Sequence, residues 1–405
     1  MLPVKFSVVM PIHQFYPLIG GAEQQAQRLA GNLARRGHLV TVLTGRWSSQ
    51  LPKSEIIDGI YVYRNGTLWK SLEKMGWLIT LRQYAYEATL LWFLWRQRKS
   101  YHLIHVHQAL HAAAFSTFAA KCLGKKIVIK VGCGGVLSDL NMMKGCRVSP
   151  FGKQLWSIIK KCDRIIAINH EIEEELLNDG FTRRQVVKIP NGISMVGITV
   201  KESYTIHQPV RLVSVGRLDR QKGFDVLIDA LALYFPRPFT CEIFGEGNEY
   251  ARLTQQIKDR DLSERVNLRG IVDTPSRLFH DLDMFVLVSR AEGLSNALLE
   301  AMISGLPCIA SNIGGNSDLL SPDNITLSIP AGEYHVGMNG ILVNVDDLVG
   351  LLKAIDYLAS DEAVRERLGR CGREWVIEHC SLDAVTDQYL SLYSELLAEQ
   401  SVALC

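Results

Sequence analysis

Val215-Gly216-Arg217-Leu218-Asp219-Arg220-Gln221-Lys222-Gly223 and Glu292-Gly293-Leu294-Ser295-Asn296-Ala297-Leu298-Leu299-Glu300 each follow an apolar run of strand length and lead into a helical pattern. The two runs are Arg211 to Val215 and Met284 to Val288. Strand, polar loop and helix in repetition are the mark of a parallel sheet wound by crossover helices. Such open sheets take their ligands in the loops beyond the carboxyl ends of the strands. Chemistry is therefore expected in these two loops.

The same alternation runs through the whole chain. In the first half, strands are expected near Phe6 to Met10, His38 to Leu43, Leu103 to Val106, Lys126 to Lys130, Arg164 to Ile168 and Val186 to Ile189. The second half adds Thr240 to Phe244, Arg265 to Leu268, Pro307 to Ala310 and Ile341 to Val343. A length of 405 residues is too great for one core, so two domains are expected. Pro190-Asn191-Gly192 is a strong turn signal between the halves. The expected division is residues 1–193 as a first Rossmann-like domain, 194–209 as a linker, 210–380 as a second such domain and 381–405 as a final helical segment. The fold class is α/β, two Rossmann-like domains facing across a cleft, with the last helix crossing back to the first.

Composition is that of a globular protein, 47% hydrophobic and 21% charged. The first residues read as a buried strand, with neither the basic region nor the cleavage site of a signal peptide. Nine cysteines at irregular spacing suggest no disulfide framework and no zinc site. A cytoplasmic setting is expected. Net charge is only +2, yet residues 1–200 carry 26 Lys and Arg against 12 Asp and Glu, and the remainder 18 against 30. The halves are thus near +14 and −12. Two readings stand: domains that attract each other, or a basic first domain that meets phosphates or an anionic membrane surface.

In the second motif, Ser295 or Asn296 can cap the helix, whose first N–H groups then face an anion such as a diphosphate. Glu300 lies one turn on, where a carboxylate can accept two ribose hydroxyls, and Glu292 can hold sugar hydroxyls. The plain alternative is an ordinary acidic surface loop. In the first motif Gly216 permits a tight turn, and Arg217 and Lys222 can converge on phosphate oxygens, offsetting charge on a departing diphosphate. Here the plain alternative is two solvated cations.

These motifs, with Phe244-Gly245-Glu246-Gly247 and Ile313-Gly314-Gly315, resemble the donor domain of family 4 retaining glycosyltransferases of the GT-B fold. The likeness covers nearly the whole chain. Gly20-Gly21-Ala22-Glu23 resembles the family's first glycine-rich loop, His105-Val106-His107 its strand-end histidine pair, and Pro190-Asn191-Gly192 its hinge turn. An aspartate often found just beyond that turn is replaced, with Ser194 close to its position. The resemblance implies Arg217 and Lys222 as a diphosphate clamp, Glu300 as the ribose ligand and Glu292 as a contact to the transferred sugar. Gly20 and Gly21 would lie near donor phosphate or acceptor, and Gly216, Gly245, Ile271, Asn296, Ala297 and Leu298 would border the donor.

One departure stands out. Many members carry a histidine in the loop after the strand Lys126 to Lys130, where this chain has Val131-Gly132-Cys133-Gly134-Gly135. Backbone groups of that loop, Asp139 or His107 are the substitutes, with His107 the choice for a catalytic role; a strand-end histidine is as often structural. Asp281-Leu282-Asp283 spells a D-x-D but opens a buried strand without further ligands, so no metal is expected. Cys133 has no context of a cysteine enzyme and reads as a small buried residue.

Trp69, Trp77, Trp92 and Trp95 are interleaved with Lys70, Lys74, Arg82, Arg96, Arg98 and Lys99, a pattern that suits a membrane interface. For Leu90 to Trp95, six successive apolar residues favour a helix buried on the first sheet. The expected function is metal-independent, cofactor-free retaining transfer of a sugar from a nucleoside diphosphate to a sugar, lipid-linked or small-molecule acceptor, in polysaccharide or glycolipid synthesis. A nucleotide-sugar epimerase and an inactive nucleotide-sugar binder are the rivals. Nucleic acid is not an expected partner.

Overall fold

Val- and Ile-rich runs bounded by Gly, Asn and Asp turns form the strands, and amphipathic stretches between them cover both faces. The structure, a computed structural model, describes residues 5–17, 20–46, 48, 50–65, 76–134, 138–145, 151–233, 237–272 and 278–403. The chain divides into two units, Met1–Gly192 with Leu382–Cys405, and Ile193–Ser381.

In the first unit the strands are β1 Ser7–Pro11, β2 Leu39–Gly45, β3 Ser54–Ile57, β4 Ile60–Asn65, β5 Leu103–His107, β6 Lys126–Lys130, β7 Arg164–Ala167 and β8 Val186–Lys188. Among the described residues they form one sheet, ordered β3-β4-β2-β1-β5-β6-β7-β8, parallel except for the β3–β4 hairpin. That hairpin was not expected. Its turn is Asp58-Gly59 with φ of 51° and 80°, the two-residue loop whose left-handed pair matches strand twist.

The second unit holds β9 Val210–Val215, β10 Phe239–Phe244, β11 Val266–Leu268, β12 Met284–Leu287, β13 Cys308–Ser311, β14 Tyr334–Val336 and β15 Ile341–Val343. Among the described residues their order is β11-β10-β9-β12-β13-β15-β14, with only β14 antiparallel. In each sheet the order reverses beside a central strand, between β1 and β5 and between β9 and β12. Those reversals open the crevices in which parallel sheets bind ligands.

The last helix, Leu382–Ala403, belongs to the first unit. Val385, Tyr389, Leu392, Tyr393 and Leu396 enter the core beneath it together with Leu29, Leu33, Val8 and Val128. Tyr389 and Tyr393 are fully buried, and burial of a large side chain stabilises by about 1.5–3 kcal/mol. Polar bonds fix the register: Asn32 donates to Thr386 Oγ1 at 2.9 Å, and Arg36 pairs with Asp383 at 2.7 Å.

The helix Gly76–Arg96 departs from the expectation at its end. Leu90, Phe93 and Leu94 are buried, but Trp92 and Trp95 are 52% and 55% exposed. One turn of 3.6 residues cannot turn six consecutive apolar residues inward. Trp69, Lys70 and Lys74 lie outside the described residues, as do the side chains of Trp77 and Arg82.

Residues 194–209, expected as a linker, are largely exposed but are pinned to the second unit at Lys201 and Tyr204. Lys201 N–H donates to the Ser304 carbonyl at 2.8 Å, and Tyr204 Oη donates to the Gly305 carbonyl at 2.9 Å. Asp283 anchors the end of this segment, its Oδ2 accepting from Arg211 N–H at 2.7 Å and its Oδ1 lying 2.8 Å from His207 Nδ1. The carboxylate is 1% exposed. Asp283→Ala would leave the part-buried Arg211 amide without its acceptor and remove the anchor of His207, a loss of about 1–3 kcal/mol. Urea unfolding of the two forms checks this; equal midpoints would contradict it.

Candidate active site

The switch point of the second sheet is lined by the loops after β9 and β12. Two glycines let the backbones meet there. Gly223, at φ +67°, would place a Cβ 2.1 Å from the Val288 carbonyl oxygen, and Gly245, at φ +147°, would place one 1.8 Å from that of Gly216. No side chain fits either gap, so the post-strand loops close on one another through bare main chain. Gly216 N–H donates to the Phe244 carbonyl at 3.0 Å, and Gly245 N–H to that of Gly270 at 2.8 Å. Ile271 follows, 69% exposed in the loop beyond β11.

Sheet order thereby brings Lys222 and Glu292 into an ion pair across 70 positions of sequence. Their side chains are only 15% and 8% exposed. Ser289 Oγ also donates to Glu292 Oε1 at 2.8 Å. Arg290 braces the same loops, forking onto Asp225 at 3.0 Å through each nitrogen and reaching Asp346 at 2.8 Å. Burial works against the Asp225 carboxylate, but the Arg290 fork outweighs it and holds the group below the usual carboxylate range. Neither Ser289 nor Arg290 stood out in the sequence; the signal available was a hydroxyl and a cation directly before Glu292.

Arg217 differs from Lys222. Its side chain is 76% exposed and 3.4 Å from Asp219, so it extends from the loop edge into solvent. The helix Asn296–Ile303 begins just beyond, where Ser295 Oγ accepts from Leu298 N–H at 3.4 Å. The start of a helix, where first-turn amides have no carbonyl within the helix itself, is a general setting for anion binding. Leu298 itself is a core side chain, fully buried, and Glu300 is half-buried one turn on. Of the D-x-D, Asp283 is occupied as described above and Asp281 is exposed beside His280.

In the first unit, Gly20 precedes the helix Gly21–Arg35 and its carbonyl accepts from Gln24 N–H at 3.0 Å. His107 ends β5 and is 4% exposed. Its ring stacks on His105 with centroids 4.6 Å apart, and His105 Nδ1 lies 2.7 Å from Tyr393 Oη. Period-two alternation puts both rings on the face that the last helix covers. Lys130, also inward-facing, donates to Asn191 Oδ1 of the hinge turn at 2.9 Å. Burial pushes Lys130 down to about 7 and, with Lys130 beside it, pushes His105 down to about 3. His107 is likewise driven well below the ordinary histidine value, by burial first and then by its two basic neighbours. Its Nε2 has no partner among the described residues. Cys133 is half-buried, with Sγ 3.7 Å from the Gly134 carbonyl oxygen.

Two family models match the chain: residues 19–195 match that of Glycosyltransferase Family 4, and residues 199–375 that of Glycosyl transferases group 1. The chain is 24% identical over 401 residues to N-acetyl-alpha-D-glucosaminyl L-malate synthase of Bacillus anthracis, covering 95% of this chain and 96% of that one. It is 24% identical over 341 residues to a component of the phosphatidylinositol N-acetylglucosaminyltransferase of Arabidopsis thaliana, covering 81% and 72%. Anabaena HepE, solved with UDP-glucose, superposes with a TM-score of 0.70 at 17% identity, over 97% of this chain and 100% of that one. The chain belongs to the family 4 type of glycosyltransferases with the GT-B fold. It is an enzyme that transfers glycosyl groups.

The buried bases give a pH signature. Lys130 titrates lower in the fold than its ordinary value of about 10.4. Between the two values only the unfolded chain holds the proton, so stability rises with pH from about 7 upward. His105 and His107 act in the same direction at lower pH, their contribution being complete above about 6.5 and lost as pH falls toward their depressed values. Lys130→Met should flatten the rise in unfolding midpoint between about pH 7 and 9. Parallel midpoint curves for the two forms would contradict the assignment.

Proposed function

We propose that the chain moves a sugar from a nucleoside-diphosphate donor to an acceptor hydroxyl with retention of anomeric configuration. The observation that carries this reading is the part-buried Lys222–Glu292 pair at the switch point of the second sheet, beside a helix start of the kind that receives anions. Arg217, Lys222 and the first-turn amides neutralise the departing diphosphate. Glu300 accepts from the ribose hydroxyls, and Glu292 from a hydroxyl of the transferred sugar. Gly216, Gly245 and Ile271 border the base.

In the reaction the bond from the anomeric carbon to the diphosphate oxygen breaks while the acceptor oxygen bonds on the same face. The acceptor's proton passes to the leaving diphosphate, so no separate protein nucleophile is needed. His107 is held neutral with its Nε2 buried, so it is no acid at neutral pH. Gly20 and Gly21 open the first unit's crevice, which takes the acceptor. No metal or cofactor enters this scheme, because cationic side chains and amides supply the positive charge. The complex of HepE with UDP-glucose supports a nucleotide-sugar donor and makes uridine diphosphate sugars the first probes. The phosphatidylinositol-directed relative supports glycolipid or polysaccharide synthesis as the setting.

Release of nucleoside diphosphate from a panel of nucleotide sugars, with and without acceptor extracts, tests the reading. Arg217→Ala and Lys222→Ala should each lower turnover about 100- to 1000-fold, the scale of one electrostatic group, with smaller effects on donor affinity. Chelator should leave turnover intact. Near-normal turnover in both variants, or loss with EDTA restored by Mg2+ or Mn2+, would overturn it.

We propose further that the first unit binds an anionic membrane surface reversibly. No helix among the described residues is long and apolar enough to cross a membrane. The helix Gly76–Arg96 exposes Ala85, Ala88, Trp92 and Trp95 in one stripe, continued by Arg96 and Lys99. The Arg96 guanidinium lies 5.7 Å above the Trp92 ring and that of Arg98 4.9 Å above Trp95. Amphipathic aromatics with cations suit the headgroup layer. Each cation near such a surface contributes about 1 kcal/mol, screened within roughly 8 Å at physiological salt. The chain should pellet with anionic liposomes at low salt and less with neutral ones, and replacing Trp92, Trp95, Arg96 and Lys99 should reduce it. Failure to pellet with either vesicle at low salt would refute the proposal.

A further inference from the structure

Gln108 stands outside every role assigned so far. It follows His107 at the carboxyl end of β5, the strand beside β1 where the order of the first sheet reverses. Its φ is +73°, a region that a side chain with a Cβ enters at a cost and glycine or asparagine takes more readily. Neighbouring groups hold it there. Its N–H donates to the Lys130 carbonyl at 2.9 Å. The next amide, Ala109 N–H, donates to Asp139 Oδ2 at 2.7 Å, and the same oxygen accepts from Gly132 N–H at 3.0 Å. Asp139 is 4% exposed, so its carboxylate is a buried clamp joining the loops after β5 and β6.

The stem of Gln108 lies against Gly132, where an added Cβ would come within 3.3 Å of its Cγ. The residue is half-buried, and no side-chain hydrogen bond of Gln108 is present among the described residues. Backbone strain of this kind persists where the surroundings enforce it, and it gathers at functional sites. A carboxamide donates and accepts at once, which matches a hydroxyl, and it carries no charge to attract phosphate.

We propose that Gln108 hydrogen-bonds a sugar hydroxyl of the substrate during transfer, and that Asp139 is the residue that positions it. This rests on the proposed transfer from a nucleoside-diphosphate sugar, and the hydroxyl belongs to either the donor sugar or the acceptor. A group kept in a strained conformation for contact with substrate, and not for stability, should separate the two properties on substitution. Gln108→Gly relieves the backbone and removes the amide; Gln108→Asn keeps an amide on a residue that tolerates the conformation.

The full chain and both variants are compared in thermal unfolding and in turnover of UDP-sugars, with and without acceptor extract. Gln108→Gly should unfold at or above the midpoint of the unaltered chain while its kcat/KM falls roughly three- to tenfold, the scale of one hydrogen bond. Gln108→Asn should recover part of that loss. A fall in donor hydrolysis without acceptor assigns the hydroxyl to the donor; a fall in transfer alone assigns it to the acceptor. Asp139→Asn should lower turnover in the unaltered background and add little to Gln108→Gly, as a residue acting through Gln108 must. Unchanged kcat/KM in Gln108→Gly, or a lowered midpoint in step with the lost activity, would overturn the proposal. Turnover by the unaltered chain tests the donor reading separately: activity there with an indifferent Gln108 sinks only this inference, and no turnover of any donor sinks both.

Discussion

The structure depends on a constraint of parallel sheets: where strand order reverses, two post-strand loops stand side by side with nothing between them. In the second unit those loops carry Lys222 and Glu292, and the backbone meets so closely at Gly223 and Gly245 that no other residue fits. The crevice is thus fixed by main chain before any side chain contributes to it. Lys222 and Glu292 then neutralise each other in a nearly buried setting. Such a pair is costly to leave half-made, because losing one partner strands the other charge away from water. On the proposed function, an incoming diphosphate replaces Glu292 as the partner of Lys222, and a sugar hydroxyl replaces Lys222 as the partner of Glu292. Binding of donor is then an exchange of partners with little net burial of charge.

The first unit solves a different problem with the same topology. Its reversal lies at β1 and β5, and the face beneath the strand-end histidines is closed by the last helix, through Tyr389 and Tyr393. Three basic groups, His105, His107 and Lys130, are shut in there without a carboxylate among their hydrogen-bond partners in the described residues. Burial keeps the two histidines uncharged near neutral pH and lowers Lys130 to about 7, so the wall behind this crevice carries little charge where the other crevice carries an ion pair.

Much of this was legible in the sequence. The strand Lys126–Lys130 was read to the residue, and the loops with Gly216 to Gly223 and Glu292 to Glu300 were placed after strands correctly. Short apolar runs between turn residues carry that information locally. The β3–β4 hairpin was missed although Asp58-Gly59 announced it, because its half-exposed strands show weak alternation. Residues 194–209 read as a linker by polarity, whereas Lys201 and Tyr204 bury themselves on partners about a hundred residues away. Nor could spacing pair Lys222 with Glu292, or turn Trp92 and Trp95 outward from their apolar run. Partners chosen by sheet order are invisible until the order is known.

Calorimetric titration with UDP, GDP and ADP tests most directly the proposed exchange of Glu292 for a diphosphate at Lys222. Glu292→Gln removes the competing charge while leaving Lys222 in place. The account predicts tighter nucleoside diphosphate binding in this variant together with slower transfer, and weaker binding in Lys222→Ala. Weakened binding of all three nucleotides in Glu292→Gln, equal to that in Lys222→Ala, would contradict it.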